Sequence, residues 1–161
     1  MTHKSIACFR KALAIRELKF KPMHISCSDC LLNLGILYKL RGLPEQSQQN
    51  LERALRIRQE AIGVESLPAA ALHEELGKLH LEEEHFQESY NHLKRCYQIR
   101  KKIYANKRVQ DVERIATLLV FLHRKIELQI VNYKTSYEKG GLKLLTQIGT
   151  ELGNTIRGVD A

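Results

Sequence analysis

The sequence predicts an all-α fold in which antiparallel helix pairs stack into a solenoid. Three observations lead to this prediction. A motif recurs with a period of 42 residues, the apolar residues follow helical spacing, and only three prolines and nine glycines interrupt the 161 residues. A fixed period of this length is typical of repeat architectures, in which each unit buries its apolar face against the next unit.

The strongest repeat is a nine-residue segment that occupies 8–16, 50–58 and 92–100 without a gap between copies. We expect this segment to form the second helix of each unit. Bulky, small, isoleucine and arginine positions recur in all three copies. The equivalent residues are Phe9, Leu51 and Leu93, then Ala12, Ala54 and Cys96, then Ile15, Ile57 and Ile99, and finally Arg16, Arg58 and Arg100.

The first helix of each unit carries a second repeated block. Leu34-Gly35 and Tyr38 recur as Leu76-Gly77 and His80, and more weakly as Leu118-Leu119 and Leu122. A glycine at this position predicts a close approach of the neighbouring helix, because a Cβ atom would hold that helix away. Pro44 follows Gly42 and starts the next helix, where its missing N–H costs no hydrogen bond.

These residues resemble the tetratricopeptide repeat. The pattern of that repeat is matched by Leu34, Gly35, Tyr38, Ser47, Leu51 and Ala54. The 42-residue period is similar to the longer subtype found in kinesin light chains and nephrocystin, which often has a histidine at the place of His24. The resemblance covers about residues 5–125 and implies a right-handed superhelix whose first helices line a concave groove.

The repeat register divides the chain into five expected segments. They are a second helix of a partial repeat at 1–22, repeat 1 at 23–64, repeat 2 at 65–106, a degenerate repeat 3 at 107–138 and an atypical C-terminal tail or cap at 139–161. Five of the nine glycines lie in the last 22 residues, so we expect a helix at about 126–138, a short one near 142–148 and a loose end. The half repeat at the start predicts a piece or an isoform of a longer array.

Motifs that carry catalysis are missing from the sequence. There is no phosphate-binding loop, no dinucleotide-binding loop and no nucleophile elbow. His73-Glu74 begins like a zinc-protease helix, but Gly77 occupies the position of the second histidine. The sequence therefore predicts a protein that is not an enzyme and that has no cofactor and no metal.

The four cysteines are interpreted as reduced thiols, because they are too few for a disulfide scaffold of this length. Cys27 and Cys30 form a C-x-x-C motif, for which a metal or redox site is the alternative to packed small residues at a helix start. Zinc would need a second pair of ligands, and none is evident. His80 replaces an aromatic core residue, and we expect a packed imidazole there.

The resemblance implies a partner-binding groove along the first helices. Its predicted residues are Asp29, Asn33, Ile36, Lys39, Glu74, Glu75, Lys78, Thr117 and Val120. The amide of Asn33 can donate to and accept from a peptide backbone, although a merely solvated polar residue is the alternative. Glu74 and Glu75 make the second copy acidic, which predicts a peptide that contains a lysine or an arginine.

The net charge of +8 is concentrated in residues 94–108, which carry seven basic residues and no acidic one. This basic patch consists of Lys94, Arg95, Arg100, Lys101, Lys102, Lys107 and Arg108. We interpret it as a solvated face near a helix C-terminus, where cations are favourable. The alternative is contact with RNA, an acidic partner or a membrane surface, although no nucleic-acid motif is present.

The sequence thus favours a non-catalytic scaffold or adaptor that binds an extended peptide or a partner helix in its groove. A nucleic-acid or acidic-partner function of the basic patch ranks second, and an assembly part that self-associates or joins missing flanking repeats is third. No apolar run is long enough to span a membrane and no signal peptide is evident. A cytoplasmic setting is therefore expected, and the resemblance implies cytoskeletal, transport or ciliary assemblies.

Overall fold

The structure is a computed structural model. It describes the backbone of residues 2–105 and 110–157 and the side chains of residues 3–105 and 110–140. In this part of the chain every regular element is a helix, which confirms the all-α prediction. The helices are α1 (Thr2–Phe20), α2 (Ile25–Lys39), α3 (Pro44–Ile62), α4 (Leu67–Glu82), α5 (Phe86–Tyr104) and α6 (Gln110–Arg157). Two compact units result, Met1–His123 and Arg124–Ala161.

The first unit is a series of helices in which each packs on its neighbour in the chain. α2 pairs with α3 and α4 pairs with α5, while α1 packs on α2 and α3 packs on α4. The short connections make each pair antiparallel. The buried side chains form two clusters. The first cluster includes Leu31, Leu51, Ile57, Leu72 and Leu76. The second cluster includes Leu93, Ile99, Ile115 and Leu122.

A glycine lies at the closest approach of both helix pairs. A Cβ atom on Gly35 would lie 2.6 Å from Cγ of Leu51, and one on Gly77 would lie 2.6 Å from Cγ of Leu93. Next to each contact a serine hydroxyl donates a hydrogen bond of 2.8 Å, from Ser47 to the carbonyl of Gly35 and equivalently in the second pair. The predicted close approach through Gly35 and Gly77 is therefore confirmed.

The repeated arginines add hydrogen bonds between helices that also pack against each other. Arg16 on α1 donates to the carbonyl of Ser26 at the start of α2. Arg58 on α3 donates to Ser28 and Asp29 on α2 and, at 3.4 Å, to the carbonyl of Pro68 at the start of α4. An arginine at this register therefore ties a second helix to its own first helix or to the next one.

The turns and links of the repeats also have positive φ at equivalent positions. The turn between paired helices has a left-handed residue at Gly42 (φ 65°) and at Glu84 (φ 58°), which are 42 residues apart. The links between repeats have positive φ at Lys21, Gly63 and Ala105, again 42 residues apart. The register of the repeat therefore extends from the helices to the turns, even where the residue is not glycine.

The first unit leaves one repeated core position in solvent. Ile15 is 64% exposed, whereas the equivalent Ile57 and Ile99 are 0% and 2% exposed. α1 packs on α2, and no other described helix covers the face that carries Ile15. Leu18 on the same helix is also exposed.

The expectation of two separate helices after residue 126 was wrong, and the end expected to be loose after about residue 148 is helical as far as Arg157. α6 is one helix from Gln110 to Arg157 and runs through Gly140 and Gly141. Each glycine costs a helix only about 1 kcal/mol relative to alanine, and none of the three prolines lies beyond Pro68 to stop it. The predicted segment boundaries remain predictions, and residues 158–161 lie outside the described part of the chain.

The second unit, taken by itself, consists of the later part of α6. Its described side chains, at 124–140, are exposed apart from a half-buried Ile126. Several of them are apolar, namely Leu128, Ile130, Val131, Tyr133 and Tyr137. None of the helices, over the residues searched, is long and apolar enough to cross a membrane.

Replacing Gly35 by alanine should destabilise the first helix pair by about 1–3 kcal/mol, because the new methyl group overlaps the side chain of Leu51. Gly140→Ala is the matched control, since nothing lies within 4 Å of its added Cβ. That substitution should be neutral or should stabilise α6 by about 0.5–1 kcal/mol. Urea denaturation followed by circular dichroism measures both, and equal effects of the two substitutions would contradict this account of the packing.

Replacing Glu84 by glycine should stabilise the second helix pair by about 0.5–1 kcal/mol, because glycine adopts the left-handed conformation without a steric cost. Glu83→Gly removes the same charge from the neighbouring residue, whose φ is −87°. This control should stabilise nothing. Thermal unfolding of both variants tests the prediction, and a gain in both would attribute the effect to charge and not to backbone conformation.

Candidate functional site

The predicted groove positions on α2 lie on a surface that is partly buried. Asn33, Ile36 and Lys39 are half-buried, and Asp29 is exposed. The amide nitrogen of Asn33 donates to the carbonyl of Asp29 at 2.8 Å. This bond uses one of its two N–H groups, so the amide keeps a donor and an acceptor for another molecule. Asp29 itself is held by Arg58, whose Nη2 lies 2.5 Å from Oδ1.

An ion pair joins the groove positions of consecutive repeats. Nζ of Lys39 on α2 lies 3.2 Å from Oε2 of Glu75 and 3.8 Å from Oε1 of Glu82, both on α4. Nζ of Lys78 lies 2.8 Å from the other oxygen of Glu75. Lys39, Glu75 and Lys78 therefore form one network across the two first helices.

The carboxylate of Glu74 is the most highly coordinated group of this surface. It is buried and accepts from Lys78 at 2.8 Å, from Arg100 at 2.7 Å and from Arg114 at 2.8 Å. Burial alone would raise the pKa of Glu74, but the hydrogen bond and charge of Lys78 and the charge of Arg100 outweigh it and lower the pKa below 4.5. Glu74 is thus ionised at neutral pH and ties α4 to both α5 and α6.

A small pocket of about 120 Å³ opens beside this carboxylate. Its apolar wall comes from α5 and α6, and its rim is charged. The lining residues are Glu74, Lys78, Leu93, Arg114, Ile115 and Leu118. Because Lys78 and Arg114 approach the same carboxylate, the rim carries both signs of charge above an apolar floor. Such a pocket suits an apolar side chain whose neighbours are polar.

The two predicted groove residues on α6 take no part in the described ion-pair network. Thr117 is exposed and donates its hydroxyl hydrogen to the carbonyl of Glu113 at 3.1 Å. Val120 is exposed and offers an apolar surface. Their contribution to a groove remains a prediction.

Two arginines near the groove were not predicted there. Arg114 was assigned no role, and Arg100 was assigned to the basic patch. The Arg100 side chain is only 13% exposed, and its Nη1 is buried without a hydrogen-bond partner. The sequence could have indicated the contact of Arg100 with a neighbouring helix, because Arg100 occupies the same repeat position as Arg58 and Arg16, which also bind neighbouring helices.

The basic patch is less open than the sequence indicates. Arg95 lies 4.0 Å from Glu65, and Lys102 also pairs with Glu65, which lowers the pKa of that carboxyl through the Lys102 hydrogen bond and charge. Nζ of Lys94 lies 5.7 Å from the ring centre of Tyr90, and Nζ of Lys101 lies 5.5 Å from that of Tyr97.

Lys94 and Lys101 are therefore the described residues of the patch that combine exposure with a ring contact and have no described carboxylate partner. The remaining two predicted members, Lys107 and Arg108, lie outside the described residues.

Three of the four cysteines are packed small residues, and Cys8 is exposed. Cys27, Cys30 and Cys96 are buried, and burial raises the pKa of Cys96 to about 11 and also raises that of Cys30. These two thiols are therefore protonated at neutral pH, which makes them poor nucleophiles and poor metal ligands. Over the residues searched, no group of three or more His, Cys, Asp or Glu side chains could hold a metal ion.

Together, the fold and the repeated contacts define a helical-repeat protein. The family model of the tetratricopeptide repeat matches residues 2–60 and 31–102, which together span more than half of the chain. The chain belongs to the tetratricopeptide repeat family. Repeats of this family generally mediate protein–protein interactions, which is the coarse function of this chain.

Two solved structures have a similar fold. BtubC (BKLC) from P. vanneervenii superposes with a TM-score of 0.71 at 18% identity, over 76% of this chain and 49% of that one. A putative kinesin light chain from Podosopora anserina, with nearly identical TPR-like repeats, gives 0.66 at 16% identity, over 76% and 57%.

The chain thus spans about half the length of these two structures. At sequence identities of 18% and 16% the similarity concerns the fold alone. It confirms, for the fold, the resemblance to the light-chain subtype. No curated protein matches the chain.

Replacing Glu74 by glutamine should destabilise the first unit by about 1–3 kcal/mol, because Arg100 loses a charged partner inside the structure. Asp111→Asn is the matched control, since Asp111 pairs with the same Arg114, but at 3.8 Å and between exposed side chains. Its effect should stay within about 0.5 kcal/mol. The midpoints of urea denaturation, compared at an unchanged dependence of the unfolding free energy on urea, measure the difference in stability. Similar losses of stability in the two variants would show that Glu74 is an ordinary surface carboxylate.

Proposed function

We propose that this chain is a non-catalytic scaffold or adaptor that binds an extended peptide or partner helix along α2, α4 and the first part of α6. The observation that carries the proposal is the ion pair between Lys39 and Glu75, because it joins the first helices of consecutive repeats into one surface. A stack of first helices in this family presents such a surface to a partner.

The contacts in the groove revise the expected chemistry of the peptide. Glu74 and Glu75 are already neutralised by lysines and arginines of the same chain. A basic residue in the peptide therefore gains little from them. Recognition rests instead on the peptide backbone at Asn33 and on one apolar side chain in the pocket floored by Leu93, Ile115 and Leu118.

The similarity to a putative kinesin light chain supports an adaptor role in a cytoskeletal transport assembly, in a cytoplasmic setting. A ciliary role follows only from the resemblance of the 42-residue period to nephrocystin.

A random library of 15-residue peptides, selected on the wild-type chain, tests the groove. Asn33→Ala should weaken the selected peptides about fivefold, which corresponds to the loss of one hydrogen bond. Asn50→Ala is the matched control, because Asn50 donates to the carbonyl of Gln46 at 2.7 Å in the same local pattern, but on α3. The control should bind peptides as the wild-type chain does, by fluorescence polarisation.

The same experiment separates the groove from the basic patch. A double Lys94→Glu/Lys101→Glu variant should retain peptide affinity, and wild-type affinity should depend weakly on salt. If that variant loses binding while Asn33→Ala does not, and affinity falls steeply with salt, the RNA or acidic-partner function replaces the groove proposal.

A further inference from the structure

Four histidines that are far apart in the sequence lie close together at the α4–α5 pair, where His73 and His80 are buried, His92 is half-buried and His85 is exposed. His73 and His80 are seven residues apart on α4, and His85 and His92 are seven apart at the start and on the body of α5. The ring centres are 5.3 Å apart for His73 and His92, 5.5 Å for His80 and His92, and 6.0 Å for His80 and His85. These four residues are called the histidine cluster below.

The cluster contains a hydrogen bond that requires at least one neutral ring. Nδ1 of His73 lies 3.0 Å from Nδ1 of His92, so one ring donates and the other accepts. An acceptor nitrogen is available only on a neutral imidazole. His80 stacks on His92 at an interplanar angle of 14°, and His73 and His80 are 9% and 7% exposed. Charging both partners of the bond would remove it and bring two cations together inside the helix pair.

The surroundings oppose protonation most strongly at His73. Burial lowers its pKa from 6.5 to about 4, and His92 and the nearby charge of Arg95 on α5 add to this effect. Burial also lowers the pKa of His80 and of His92. The neighbouring acids partly offset burial there. Beside His80 these acids are Glu88 on α5, Glu83 in the turn and Glu52 on α3. Beside His92 the acid is Glu52.

The first repeat has the same packing without the histidines. Its glycine, leucine and serine contacts match those of the second repeat, as described above. The positions equivalent to His73, His80, His85 and His92 hold Leu31, Tyr38, Leu43 and Asn50. Packing of such a pair therefore does not require histidine, and the cluster is a specific property of the second repeat.

We propose that the α4–α5 helix pair is an acid-sensitive latch, closed while the histidine cluster is neutral and opened when the cluster takes up protons. In the open state the imidazoles of His73, His80 and His92 have their ordinary pKa near 6.5, whereas burial in the closed state lowers the pKa of each of them and so opposes proton binding. The stability of the pair is therefore full above about pH 6.5 and is lost as the pH falls toward about 4. For each additional proton that the open state binds, the equilibrium constant for opening rises about tenfold when the pH falls by one unit.

Opening has a consequence at the groove, and this step rests on the proposed function. α4 carries Glu74 and Lys78, and α5 carries Arg100, which holds Glu74. Separation of α4 from α5 would break this contact and deform the pocket. A bound peptide would then be released in a mildly acidic environment.

Hydrogen exchange of the whole chain, followed by mass spectrometry and corrected for intrinsic rates, tests the latch without any partner. Protection of the α4 and α5 amides should fall at least about tenfold between about pH 7 and about pH 5. Protection in α2 and α3, which serve as the internal reference, should change much less. Equal loss in both pairs, or no loss in α4 and α5, would overturn the proposal.

A repeat-matched variant provides the second arm of the test. His73→Leu/His80→Tyr/His85→Leu/His92→Asn gives the second pair the residues of the first, and it should retain protection of α4 and α5 at about pH 5. His3→Gln, an exposed histidine outside the cluster, should behave as the wild-type chain does. If the fourfold variant does not fold, His73→Leu and His80→Tyr are measured singly, and each should make the pH dependence less steep. A variant that loses protection as the wild type does would assign the acid sensitivity to other groups.

Peptide release is measured separately, so that the two proposals can fail independently. If the latch opens in hydrogen exchange but the selected peptides bind equally at both pH values, the latch stands and its link to the groove is wrong. If exchange shows no opening, the latch fails whatever the peptides do.

Discussion

The contact between a glycine on one helix and a leucine on its partner is the constraint on which the rest of the first unit depends. Gly35 against Leu51 and Gly77 against Leu93 leave no space for a Cβ atom, so each pair packs backbone against side chain. At that distance Ser47 and Ser89 reach the glycine carbonyls, and the leucines join the buried clusters. A wider separation would remove all of these contacts together, because the interior is close-packed.

The same close approach brings charged side chains within reach of neighbouring helices. Arg58 reaches both α2 and the start of α4, and Arg100 reaches Glu74 on α4. A buried carboxylate is tolerated only when it is paired and hydrogen-bonded, and Glu74 has three cationic partners. The groove surface is consequently mixed in charge and locally neutralised, which is compatible with recognition by shape and backbone hydrogen bonds.

The two complete repeats show that one backbone can carry different chemistry. Their turns have the same left-handed residue, and their helix starts have equivalent caps at His24 and Ser66. The interior of the α2–α3 pair nevertheless uses leucine and tyrosine where the α4–α5 pair uses histidine. Because the glycine–leucine contact already sets the helix separation, these positions can vary in polarity without a change of fold.

The sequence by itself determined the helix pairs, their period and the glycines of closest approach, because these depend on residues that recur at fixed local spacing. It did not determine the length of α6, since glycine content alone does not end a helix that lacks proline. Only the tertiary structure decided that Glu74 meets Arg100 and also Arg114, 40 residues away, and that four separate histidines meet. Such contacts depend on the height at which two helices cross, and a periodic pattern specifies which face is buried but not which polar side chains meet across it.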